Sequence, residues 1–191
     1  ISAGAGYGTS GSTIAFGITE NNFNGRGIRL DTNLQLTQES IRGKFSYTNP
    51  NFRYSDRKLT TTIESIGIDK EKEFGYKSSQ NSFAIGTSFE QYKNLYFSPN
   101  FSVSHEELTT TPTASISYKK QEGSYFDTLF NYSLSYDKRD SVYRPKNGYL
   151  STIVQELPLI SDNYSIINGY QITGYKEIVD QSVLSIGLYT R

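Results

Sequence analysis

Few residues in this chain have the type and spacing to do chemistry. The single histidine, His105, is expected at the end of a strand, beside Glu106 and Glu107. It could serve as the base of a Ser/His/Asp relay, but nothing next to it orients the ring, and it reads as a surface histidine. With one imidazole and no cysteine, a zinc site lacks its ligands and a disulfide framework is excluded. The run Tyr136-Asp137-Lys138-Arg139-Asp140-Ser141-Val142-Tyr143-Arg144-Pro145-Lys146-Asn147-Gly148 holds two aspartates, but no histidine or third carboxylate that a metal or an acid–base pair would need. Its residue types favour a capped turn. Pro145 presets φ, Gly148 (or Asn147 and Gly148 together) supplies positive φ, and Asp137 and Asp140 can accept turn amides or pair with Arg139 or Arg144. The expectation is no catalytic residue, no metal and no cofactor.

The elements around that turn alternate with a period of two. Ile14, Phe16 and Ile18 share one face of residues 13–19. In residues 28–37, Ile28, Leu30, Leu34 and Leu36 oppose Arg29, Asp31, Asn33, Gln35 and Thr37. Residues 41–48, 83–90, 95–104 and 126–137 repeat the pattern. In residues 59–68 the apolar phase shifts after Ile63, which predicts a bulge, and Pro99 predicts a local irregularity. Turn residues separate the runs at 9–12, 21–27, 37–40, 49–56, 69–78, 91–94, 107–124, 138–148, 158–163 and 179–182. The reading is about eleven strands joined as successive hairpins, with no helix predicted and residues 69–74 taken as a charged loop.

Alternation suits a soluble sandwich as well as a membrane barrel. No run approaches the ~20 apolar residues of a membrane helix, and the mean hydropathy is −0.54, which alternating barrel strands also produce. Three features favour the barrel. The strands run long enough to cross a bilayer when tilted. The polar face carries charges (Arg29, Asp31, Arg42, Lys44) that a wet interior would solvate. The gaps 69–78 and 107–124 are long while 91–94 and 179–182 are tight, which predicts long loops at one end and short turns at the other. The 16 tyrosines suit interface anchors. Lysine plus arginine and aspartate plus glutamate both total 19, which removes the electrostatic reason to expect nucleic acid.

Three further motifs accompany the turn: Gly4-Ala5-Gly6-Tyr7-Gly8-Thr9, Asn21-Asn22-Phe23-Asn24-Gly25-Arg26-Gly27, and Tyr47-Thr48-Asn49-Pro50-Asn51-Phe52. In this order, with Asn49, Pro50 and Phe52 in the last, the set resembles the barrel of the BamA-type outer-membrane assembly factors, the bacterial surface antigen family. The resemblance runs over the whole chain. It implies an all-β, antiparallel, up-and-down transmembrane barrel, present here in part as one domain over residues 1–191, located in the bacterial outer membrane. It implies an insertase that folds client barrel proteins without ATP, with outer-membrane lipids, unfolded clients and accessory lipoproteins as partners. It also implies that Ile1, Ser2, Ala3, Gly4, Ala5, Gly6, Tyr7 and Gly8 form the first strand, a lateral gate that accepts a client strand on its edge. The glycines there either weaken pairing, as a gate requires, or simply fit a crowded wall.

The family's periplasmic POTRA domains and its Val-Arg-Gly-Phe/Tyr loop have no counterpart in these residues. With no methionine, the chain reads as a segment or a processed product, the first eleven or so strands, and it is expected not to close on itself. A two-partner secretion or TamA-like translocation pore of the same superfamily is the second reading. A passive porin or a soluble β-sandwich binding protein is the third.

Overall fold

In the computed structural model, which describes every residue except Thr9, Ser10, Asn163 and Gln181, the chain is one antiparallel sheet. The expected turns at 9–12, 158–163 and 179–182, and Thr9 of the glycine-rich motif, fall partly outside the described residues. Eleven strands follow one another in space as they do in sequence. They are β1 (Ser2–Gly8), β2 (Gly11–Phe23), β3 (Ile28–Thr37), β4 (Ser40–Asn49), β5 (Lys58–Lys70), β6 (Tyr76–Tyr92), β7 (Leu95–Thr110), β8 (Gly123–Asp137), β9 (Asn147–Ile160), β10 (Ile167–Val179) and β11 (Ser182–Thr190). β1 and β11 are not neighbours, so the sheet is open, as expected for a partial barrel.

Register assigns the faces. Phe45, Ile63, Phe83, Val103 and Thr128 stand in one row across β4 to β8. They share a face with Ile85, Phe101, Phe130 and Leu134. The opposite face carries Lys44, Glu64, Ser82, Ser102 and Asp127. A sandwich would cover the apolar face with a second sheet. Here Ile63 is 51% exposed, Ile153 49% and Ile14 58%, and the buried apolar residues among those described are Ile28, Leu108 and Ala114. An uncovered apolar face of this extent belongs against lipid.

The apolar belt runs obliquely to the hydrogen-bond rows. From the row Ile63–Phe83–Val103–Thr128, its last residue lies four positions away on β5 (Leu59) but eight away on β8 (Tyr136). At roughly 3.4 Å per residue and 4.8 Å between strands, that drift corresponds to a strand tilt of about 40–45°, the tilt of membrane barrels.

Four expectations need correction. β5 has no bulge, because its pairing with β4 and β6 is continuous. The shifts lie instead at Glu20/Phe23, Glu90/Tyr92, Thr128/Leu129 and Glu177/Val179. The apolar phase changes in β5 because Ser65, Gly67 and Asp69 extend past the belt, while Ile66 and Ile68 turn to the inner face. There Ile68 shares a row with Ser78 and Leu108. The loops do not sort into a long end and a short end. The end bearing the tight connection 93–94 also bears 50–57 and 138–146, and the other end bears both 38–39 and 111–122. Two short helices were not expected: α1 (Glu71–Phe74) within the charged loop and α2 (Ile116–Lys120) in the 111–122 connection. Finally, His105 lies within β7 and not at a strand end, because β7 runs on to Thr110. Pro99 does bring its irregularity. The ladder from β7 to β6 skips from Asn100–Gly86 to Phe97–Phe89 without losing register, and a Ser88–Ser98 hydroxyl contact of 2.7 Å spans the gap.

Candidate functional site

Sequential hairpins place Ile1 and the connections 24–27, 50–57, 93–94 and 138–146 at one end of the sheet. The predicted first-strand residues form β1, which pairs with β2 from Ser2–Gly17 through Ala3–Phe16, Gly4–Ala15, Ala5–Ile14, Gly6–Thr13 and Tyr7–Ser12 to Gly8–Gly11. Ala3, Ala5 and Tyr7 share the lipid face with Phe16 and Ile14. Gly4 and Gly6 share the inner face. A Cβ added at Gly4 or Gly6 would meet nothing within 4 Å, whereas one at Gly17 would meet Ser2 Oγ at 2.7 Å. On the side of β2, crowding therefore accounts for Gly17 but not for Gly4 or Gly6. The lipid face of β2 is apolar at Ile14, Phe16 and Ile18 and turns polar at Glu20, so the belt is short beside β1.

The 138–146 turn is built by its own side chains. Arg139 donates to Asp137 through Nε (2.9 Å) and Nη2 (2.6 Å), and its backbone amide donates to the same carboxylate at 3.1 Å. This ion pair is the least exposed of those among the described residues, at 14% and 17%, and Tyr175 of β10 meets the guanidinium from the inner face. Asp140 accepts the Lys146 amide at 2.9 Å, while its own amide donates to the Asn147 carbonyl at 3.1 Å. Accepting the Lys146 and Asn147 amides holds the Asp140 carboxyl below its ordinary range. Gly148 has φ +100, and a Cβ there would lie 2.1 Å from the Lys138 carbonyl oxygen, so only glycine fits. Lys146 reaches Glu177 at 2.7 Å, which ties the turn to β10. Pro145 is half-buried in this turn, and Tyr136 lies just before it on the lipid face, 6.0 Å from Tyr149.

Asn49, Pro50 and Phe52 form a second turn. The Asn51 amide donates to Asn49 Oδ1 at 3.1 Å, and the Phe52 amide to the Arg57 carbonyl at 2.9 Å. Arg53 and Tyr54 follow with φ of 56 and 58, a conformation that non-glycine residues rarely adopt and that marks strain. Gly27 of the 21–27 motif lies beside this turn, its Cβ position 4.0 Å from Pro50 Cγ. These two motifs are therefore neighbours. The 136–148 turn and β1 share only the rim and are separated by the strands between them.

Sequence reasoning missed the inner contacts of Tyr175 and Glu177 and the folding of the 111–122 connection over the inner face. In that connection Tyr118 stacks on Tyr76 at 4.2 Å, and the Thr111 amide donates to the Gly75 carbonyl at 2.8 Å. The available signal was Ser115, which caps the amide of Tyr118, with Lys119 and Lys120 at the other end of the turn.

The model of the Omp85 superfamily domain matches residues 22–189. Among solved structures, a crystal structure of BamA from Haemophilus ducreyi lacking POTRA domains 1-3 shares the fold at a TM-score of 0.67 and 22% identity, over 96% of this chain. The chain spans 38% of that structure's length. No curated protein matches. An uncovered apolar belt on tilted, sequentially paired strands and a family match over most of the chain make this a stretch of a bacterial outer-membrane β-barrel, and the chain belongs to the Omp85 superfamily.

Proposed function

We propose that this segment serves an outer-membrane protein insertase, with β1 as the strand on which an incoming client strand pairs. The observation that carries the reading is the pair Gly4 and Gly6: on the side of β2 both have open space where a side chain would go. Glycine at such positions lowers strand propensity without a steric need from β2, which suits a strand that must exchange partners. One feature supports it: the lipid face of β2 turns polar at Glu20, so the bilayer beside β1 meets a short belt. Pairing of a client would be β-augmentation, with backbone hydrogen bonds giving affinity independent of client sequence. Unfolded barrel proteins are then the clients, and accessory lipoproteins belong to the same reading.

The test raises strand propensity where space allows. The Gly4→Val/Gly6→Val variant of the full-length protein that carries this segment is reconstituted in liposomes, and folding of an added barrel client is followed by heat-modifiable gel migration. The expected result is a several-fold slower client insertion by a variant that is itself folded. An unchanged rate defeats the gate reading. Transport of a soluble partner protein without any client insertion would point to the translocation pore instead.

A further inference from the structure

We infer that the rim bearing the 50–57 and 138–146 turns binds anionic phospholipid headgroups through Arg57, Lys138 and Lys176. All three are exposed and occupy the lipid side. Arg57 lies 4.8 Å over the ring of Phe89, and Lys138 5.5 Å over that of Tyr136. Lys176 stands on the face of Tyr170 and Ile172, between Asn147 and Leu184. Arg57 and Lys138 occupy lipid-facing positions just beyond the apolar belt, and Lys176 stands at its edge, level with Leu184. From the row Ile63–Phe83–Val103–Thr128, Arg57 is six positions along, just before β5, and Lys138 ten along, just after β8. Lys176 is six positions beyond Tyr170, which shares the row of Leu134 and Ile153. The cations thus follow the same oblique line as the belt edge, which brings them to one depth in a membrane. Among the described residues none of them has an ion-pair partner.

The opposite rim differs. Just past the belt it presents Ser65, Asn81, His105 and Ser124. Its outward lysine, Lys77, is held by Asp69 at 3.2 Å and Glu71 at 2.6 Å. One edge of the belt therefore offers free cations, two of them over aromatic rings, and the other offers hydroxyls and a neutralised charge. A long side chain at the belt edge lies along apolar surface and lifts its charge to the headgroup level, where anionic lipid attracts it. The cations sit two or three strands apart, roughly 10–15 Å across the strands at about 4.8 Å per strand. They are single charges and not a cluster, a spacing that fits separate monoanionic phosphodiesters better than one multiply phosphorylated glycolipid.

The test uses the full-length protein in nanodiscs of phosphatidylethanolamine mixed with phosphatidylglycerol. Lipids that stay with the protein after detergent extraction are identified by native mass spectrometry. Wild type is expected to retain phosphatidylglycerol several-fold over its share in the bilayer. The Arg57→Gln/Lys138→Gln/Lys176→Gln variant is expected to fall to parity, and Lys77→Gln to leave the enrichment intact. Each single variant at the three positions is expected to lower the enrichment part-way, which covers a triple variant that does not fold. Raising the salt should move wild type toward parity. Parity in wild type, enrichment that survives both the substitutions and salt, or preference for added lipopolysaccharide over phosphatidylglycerol would overturn the inference.

Discussion

Asp140 holds its turn as an acceptor, and that fixes how the turn responds to acid. Its carboxylate takes the Lys146 amide at 2.9 Å, and the turn amides hold its pKa below the ordinary value, about 3.9 for a free aspartate. A group with a lowered folded pKa contributes stability that is fully present above the unfolded value. It is lost as pH falls through the folded one. The turn is therefore expected to loosen below about pH 4, and Asp140→Asn, whose carbonyl accepts the amide without titrating, to flatten that dependence. Amide exchange of Lys146 and Asn147, followed against pH in the two proteins, measures it. Equal pH dependence would show that other carboxylates govern the turn. These turn roles were legible in the sequence, because aspartate, proline and glycine each have a local reason to stand where they do. The partners from across the sheet, Tyr175 and Glu177, were not, since a residue's row depends on the summed register of the hairpins between.

At the level of elements, alternation located the strands and turn residues separated them, but their lengths were misjudged. β6 and β7 extend to Tyr76 and Thr110, well into what reads as loop. Past the belt the outward positions are polar, so the alternation that marks a strand fades although the ladder continues. The same effect produced the expected bulge in β5, where the apolar side changes face without an inserted residue. It also hid the 111–122 connection, which packs on the inner face through the Tyr118–Tyr76 stack. An aromatic pair of this kind contributes about 0.5–1.5 kcal/mol beyond its buried area. That is enough to govern whether a surface segment stays docked. Tyr118→Ala is expected to free the segment and speed trypsin cleavage at Lys119 and Lys120 severalfold, with the barrel's heat-modifiable migration unchanged. Cleavage at the wild-type rate would mean that the Thr111–Gly75 backbone contact alone holds the segment.

The whole molecule has a net charge of zero, yet its charges are sorted. Polar and charged side chains fill one face, the belt fills the other, and unpaired cations collect along one rim. Composition gives the sum and is silent about the sorting, which depends on strand order and tilt. Face assignment also makes the membrane argument testable with two neighbouring residues. Ile85 and Ser82 both lie in the middle of β6, and register puts Ile85 in the belt with Thr61 and Phe101, and Ser82 on the inner face with Glu64 and Ser104. An arginine at the lipid-facing midplane of a barrel costs about 2–4 kcal/mol, and much less where water reaches it. Ile85→Arg in the full-length protein is therefore expected to lower the urea midpoint of unfolding in bilayers and to reduce membrane assembly. Ser82→Arg, beside Glu64, is expected to leave both near wild type. In a soluble sandwich the ordering would depend on which face the second sheet covered, and an uncovered Ile85 would accept arginine freely. A greater loss from Ser82→Arg than from Ile85→Arg would reverse the faces, and with them the belt, the tilt and the cationic rim that follows its edge.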